Sequence, residues 1–171
     1  MSSENVSEVK KASFWVSHLF IILATVIGVF LAANQGLKQA ILFDDVRCAK
    51  NNYYLRKSLQ SELADNVGYI KEFIAKVERR VDKPELVLES FVWKNMAFSS
   101  ATLETPSELL REAKLFYRKA EEIMNTPYYN NYNKAEFLGE LAKHVEEQVL
   151  PKFDEDAATL RKKIQDYGTD V

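Results

Sequence analysis

Hydrophobic residues follow two patterns along this chain, and one gives way to the other near Gly36. From Ser13 to Ala33, 21 residues pass without an Asp, Glu, Lys or Arg, and His18 is the only titratable side chain among them. A helix rises 1.5 Å per residue, so this run covers about 30 Å, the thickness of a hydrocarbon core. A retained span, a cleaved signal and the buried helix of a soluble domain compete as readings. A secretory signal has an apolar region of roughly 7 to 15 residues and ends on small side chains. This run is longer, and in Leu31-Ala32-Ala33 a bulky Leu occupies a position where cleavage wants a small residue. The pattern predicts an uncleaved transmembrane helix over residues 13–36, preceded by a short tail at 1–12.

Beyond Gly36 the pattern becomes amphipathic and predicts a helical bundle domain over 37–168, with a frayed end at 169–171. Leu59, Leu63, Asn66, Ile70, Phe73 and Val77 follow one another at intervals of 4, 3, 4, 3 and 4. That is a heptad seam containing one polar residue, and a polar residue there fixes register at a cost in packing. Glu62, one turn before Asn66, is placed to accept a bond from its amide. Asp82-Lys83-Pro84-Glu85 predicts a helix with Asp82 as N-cap and a buried face of Leu86, Val87, Phe91 and Met96. Thr105-Pro106-Ser107-Glu108 predicts another, with Leu109, Ala113, Phe116, Ala120 and Ile123 on one side. After Asn125-Thr126-Pro127 the run YYNNYN reads as a loop, with Asn133 as the next N-cap. Phe137, Leu141, Val145 and Val149 form a further stripe, Pro151 kinks or ends it, and Phe153, Ala157, Leu160, Ile164 and Tyr167 complete a last helix. The expected fold is all-α: an N-terminal transmembrane helix followed by an up-and-down helical bundle of four to five helices.

Charge and composition narrow the function classes. With 23 basic and 25 acidic residues interspersed, the formal net charge is −2, so there is no basic field to attract a phosphate backbone and nucleic acid is not an expected partner. The single cysteine, Cys48, excludes an intramolecular disulfide framework. His144 is the one histidine beyond the apolar run; with Glu140 and Glu147 it reads as part of an exposed charged helix face, too thin a set of ligands for a metal. No glycine-rich phosphate loop and no partner for a cysteine nucleophile is apparent, so neither a catalytic group nor a cofactor is expected. The protein reads as a non-enzyme.

Candidate interaction residues remain. Ala24, Gly28 and Ala32 recur every four residues, a small-residue stripe of the kind that lets helix backbones approach in lipid; ordinary span composition gives the same pattern. His18, one turn inside the apolar run beside Trp15 and Ser17, is read as reaching headgroup or water. Tyr128, Tyr129 and Tyr132 form either an interaction loop or a cover for the core edge. Lys10 and Lys11 precede the span, while Lys38, Arg47 and Lys50 follow it among Asp44 and Asp45. These flanks nearly balance; the orientation taken here has the amino terminus inside and the soluble part periplasmic or otherwise extracytoplasmic.

Gly28-Val29-Phe30-Leu31-Ala32, followed by a helix in which Leu59, Glu62, Leu63 and Asn66 stand as L-x-x-E-L-x-x-N, resembles a broad group of uncharacterised bacterial single-pass membrane proteins. The resemblance covers about residues 14–77. It implies this architecture and a bacterial source, and no mechanism; the location expected for such a chain is the bacterial inner (cell) membrane. Together these features predict a membrane-anchored scaffold or accessory subunit that contacts the lipid bilayer and either a second copy or another membrane protein. The alternative is a ligand-binding sensory module signalling through its span.

Overall fold

A computed structural model describes the backbone of residues 4–170 and the side chains of residues 14–170. The Lys10 and Lys11 side chains, on which the orientation partly rests, lie outside the described residues. The protein is all helical, with no strand among the described residues. Helix α1 spans Glu4–Glu78, α2 Phe91–Met96, α3 Ser107–Asn125, α4 Asn131–His144 and α5 Leu150–Asp166. A 3-10 turn covers Ser100–Glu104, and a π-helical segment, Val145–Val149, joins α4 to α5. The chain divides into two compact units after Asp45. Helix α1 belongs to both and passes through Gly36, where one glycine costs a helix only about 1 kcal/mol relative to Ala.

In the first unit every residue from 14 to 45 is exposed. This part of α1 is the one helix among the described residues long and apolar enough to cross a membrane. Its polar groups are partly satisfied by the helix itself. Thr25 Oγ1 donates to the Ile21 carbonyl at 2.8 Å, and His18 Nδ1 to the Phe14 carbonyl at 3.0 Å. Such i to i−4 bonds remove an unpaired donor, which matters most where no water is at hand.

The second unit is built on the seam read from the sequence. Leu59, Leu63, Asn66, Ile70, Phe73 and Val77 are all buried, and they pack with Leu109, Ala113, Phe116, Leu138, Val145 and Phe153. Each large side chain so covered contributes roughly 1.5–3 kcal/mol relative to exposure. Side-chain bonds give the directions of the elements. Lys71 pairs with Glu146 at 2.8 Å, Gln60 with the Leu150 carbonyl at 3.3 Å, Lys57 with Asp154 at 3.3 Å and Arg56 with Asp156 at 2.5 Å. Numbers fall along α1 as they rise along the partner, so the run from α4 to α5 is antiparallel to the second half of α1.

Three local features differ from the sequence reading. No helix starts at Asp82; residues 84–90 are irregular and α2 begins only at Phe91. A helix capped by Asp82 would place Lys83 in a right-handed helical conformation directly before Pro84, and the proline ring disfavours that. Instead Lys83 has φ 49°, and Arg80, at φ 57°, closes α1 with bonds from Arg80 N to the Val77 carbonyl and from Val81 N to the Lys76 carbonyl, both 3.0 Å. That is a Schellman ending with Arg in the left-handed position that glycine usually takes. Leu86 and Leu88 are half-buried while Val87 and Glu89 are exposed, the alternation of an extended chain.

The N-cap of α4 is Asn130, not Asn133: its side chain accepts from Asn133 N at 2.9 Å. Asn133 supplies the third backbone N–H, the group an N-cap satisfies. Pro151, expected to kink or end the Phe137–Val149 stripe, stands in the first turn of α5, just after the π-helical segment in which that stripe closes. The π-helical segment just before it shifts Leu150 N to the Val145 carbonyl, five residues back, and the wider turn precedes the residue that has no N–H to give. At Thr105-Pro106 the helix begins where expected, with α3 from Ser107, but the cap differs: Pro106 takes the N-cap position and no side chain caps the helix. Thr105 Oγ1 donates to the Ala101 carbonyl at 3.0 Å and ties the 3-10 turn to the helix start.

Candidate functional site

Two polar clusters lie on the α1 face of the second unit. In the first, Asn66 is fully buried at 0 % exposure and Glu62 at 4 %. Asn66 Nδ2 donates to the Glu89 carbonyl and its Oδ1 accepts from Glu89 N, each at 2.8 Å. The side-chain amide thus pairs with a backbone residue as a neighbouring strand would. It holds the extended segment against α1. Glu62 accepts from Val92 N at 2.5 Å and Trp93 N at 3.1 Å, placing a carboxylate on the first turn of α2, where unpaired N–H groups and the helix dipole favour negative charge.

Tyr117 of α3 closes this cluster. Its hydroxyl donates to Glu62 Oε1 at 2.5 Å and accepts from Asn66 Nδ2 at 3.4 Å, so the two residues meet through the phenol. The ring stacks on Trp93, with centroids 5.5 Å apart and planes at 15°. Burial and the bond to the Glu62 carboxylate push the Tyr117 hydroxyl well above the usual phenol range, keeping it a neutral donor. Tyr69 adds an exposed bond to Glu89 Oε1 at 2.9 Å.

The second cluster centres on Arg56, 4 % exposed. One guanidinium nitrogen reaches Asp156 of α5 at 2.5 Å and another the Glu104 carbonyl at 2.5 Å. Asn52 donates to the Glu104 carboxylate. These bonds gather the end of the 3-10 turn and α5 onto α1. Sequence reading missed both Tyr117 and Arg56. Tyr117 follows Phe116 on an apolar stripe, where a ring with a polar tip needs a partner, and Arg56 lies one turn before the seam's first Leu.

The remaining expected residues fall elsewhere. Ala24, Gly28 and Ala32 are exposed on α1, and a Cβ added at Gly28 meets nothing within 4 Å. Tyr128 is 93 % exposed, while Tyr129 sits against Phe137 with centroids 5.0 Å apart. With Ile123, Leu141, Glu140 and His144 these two rings line a cavity of about 320 Å³ between α3 and α4. His144 reaches across to Glu112 of α3 at 3.3 Å, not to Glu140 of α4 or Glu147 of the π-helical segment. Among the described residues no group of three or more His, Cys, Asp or Glu side chains is arranged to hold a metal ion.

Exposed carboxylates set the acid response. The Lys152 ammonium holds Glu108 below the usual carboxylate range, Lys76 does the same for Glu72, and the neighbouring Gln60 amide and Lys57 ammonium lower Asp154. A depressed folded-state value gives stability that is complete above the unfolded value, about 4, and is lost as pH falls through the folded one. Thermal melts of the full chain in detergent should therefore fall in midpoint between about pH 5 and pH 3, with a smaller fall at high salt because these pairs are screened. A midpoint that rises on acidification contradicts this assignment.

Fold and clusters thus define an all-α protein with one helix able to cross a membrane. Comparison with family models, curated proteins and solved structures finds no match to the chain.

Proposed function

We propose that the protein is a non-enzymatic, single-pass membrane-anchored scaffold or accessory subunit of the bacterial inner membrane. Its second unit forms an extracytoplasmic up-and-down bundle, and both span and bundle bind partners. The observation that carries this reading is the contrast within α1. Large apolar side chains such as Leu19, Phe20, Ile22 and Phe30 are 63–67 % exposed in the first unit, whereas the seam of the second is covered. An apolar surface of that extent calls for lipid or protein to cover it. The resemblance to bacterial single-pass proteins supports the location.

Crosslinking in intact membranes, followed by detergent extraction and mass measurement, tests the partner role; a monomer with nothing attached counts against it. Gly28→Ile gives the sharper result. A Cβ added at Gly28 meets nothing within 4 Å in the chain and the residues around it are exposed, so the substitution is directed at contacts between molecules. Lost association then reports the interface between molecules, expected to weaken by at least about tenfold if backbones approach there. Unchanged association leaves the Ala24, Gly28 and Ala32 stripe as ordinary span composition. Protease accessibility in spheroplasts reads the side: digestion of the second unit from outside supports the extracytoplasmic placement, and protection overturns it.

The cavity at Tyr129 and Phe137 favours the second reading, a sensory module that binds a small ligand and signals to a partner. Ligand-induced thermal stabilisation separates it from the first, since binding to the folded state raises apparent stability.

A further inference from the structure

The extended segment before α2 carries backbone groups that the fold leaves unused. Glu89 turns its N–H and C=O toward α1, where the Asn66 amide takes both. In an extended chain successive residues point these groups to opposite edges, so Leu86 and Leu88 direct theirs away from α1. Neither residue finds a hydrogen-bond partner among the described residues. Beside the segment lies a groove of about 470 Å³, walled by Leu86 and Leu88, by Trp93 of α2 and by Tyr117 and Met124 of α3, with no lining residue from α1. Outward, the segment shows Glu85, Val87 and Glu89, an apolar side chain 77 % exposed between two exposed carboxylates. Tyr69 is bonded to Glu89, and no cation pairs with either carboxylate among the described residues.

A free main-chain edge beside an apolar groove is matched by another extended main chain. Charge decides which one. A second copy of this segment, laid antiparallel about Val87, sets Glu85 opposite Glu89 twice, and like charges directly across a ladder are unfavourable. We propose that the groove takes an extended segment of a partner protein, added antiparallel to residues 85–89, with basic side chains opposite Glu85 and Glu89 and an apolar one opposite Val87. The partner residues opposite Leu86 and Leu88 exchange N–H···O=C bonds with them and place apolar side chains in the groove. This deepens the partner-binding reading above and rests on it.

The probe is the capped, fluorescently labelled peptide SKLVLKS. Anisotropy titration against the full chain in detergent, with empty micelles as blank, reads binding, and slowed hydrogen exchange at the Leu86 and Leu88 amides locates it. N-methylation of both peptide leucines removes the donors facing the segment and leaves the protein's fold untouched. It is expected to weaken binding at least about tenfold. Glutamate in place of both peptide lysines is expected to weaken it at least about fivefold, and Glu85→Lys with Glu89→Lys in the chain to reverse that preference. Equal binding of the N-methylated peptide overturns main-chain pairing, and indifference to the charge reversal overturns the basic partner. If no peptide binds while crosslinking in membranes still captures partners, this site alone is overturned. Crosslinking that captures none overturns the reading on which it rests.

Discussion

Asn66→Leu is expected to lower the stability of the second unit by about 1–3 kcal/mol, although the two side chains share a branched outline. Asn66 is fully buried, and a Leu of the same branched outline leaves no large cavity there. The loss comes from Glu89. Its N–H and C=O both bond to the Asn66 amide at 2.8 Å, and Leu offers neither group a partner. Glu89 is an exposed residue, so water takes up part of what Leu leaves unpaired, and each lost bond costs about 0.5–1.5 kcal/mol. Denaturation of the full chain in detergent, followed by circular dichroism, measures the change. Hydrogen exchange at the Glu89 amide locates it, since protection there should fall first. An unchanged midpoint contradicts the role assigned to Asn66. Unchanged stability with an altered oligomeric state returns Asn66 to the task its heptad position suggests, fixing register with a second helix.

The same residue shows what the sequence made legible. The seam from Leu59 to Val77 was readable because a helix buries one face at fixed spacing, and all six positions are buried. The polar position was visible too, but its partner was not: Glu89 lies 23 residues on, and nothing in local spacing announces a backbone residue as the mate of a side-chain amide. The helix expected from Asp82 has the same cause. Capping chemistry is local, and Asp82-Lys83-Pro84-Glu85 carries it, yet Glu62 and Asn66 hold residues 89 to 93 in place from another element. Only the alternation of Leu86 and Leu88 with Val87 and Glu89 signalled an extended chain, and it is too short to outweigh a proline and a capping pair. At Thr105-Pro106 the reading and the structure agree on where the helix starts, although no side chain caps it.

Arg56→Met is expected to destabilise the second unit by about 3 kcal/mol, the lower end of the range for removing one partner of a buried pair. The Asp156 side chain keeps 21 % exposure, so water relieves part of the charge left behind, which is why the lower end applies. Arg56→Lys should recover only a fraction. A lysine ammonium on a longer, flexible stem does not reproduce the planar fork that meets Asp156 and the Glu104 carbonyl together. The informative variant is double. Arg56→Met with Asp156→Leu removes both charges, and replacing a buried pair by apolar groups is often neutral. The structure favours that outcome: Arg56 Nε and Asn52 Oδ1 are buried and find no partner in the protein, so the cluster already bears part of its desolvation cost uncompensated. Recovery of most of the stability in the double variant assigns this pair to specifying how the 3-10 turn and α5 dock on α1, with little net gain in folding energy. Additive losses across the cycle, with no coupling between the two sites, contradict the pairing itself.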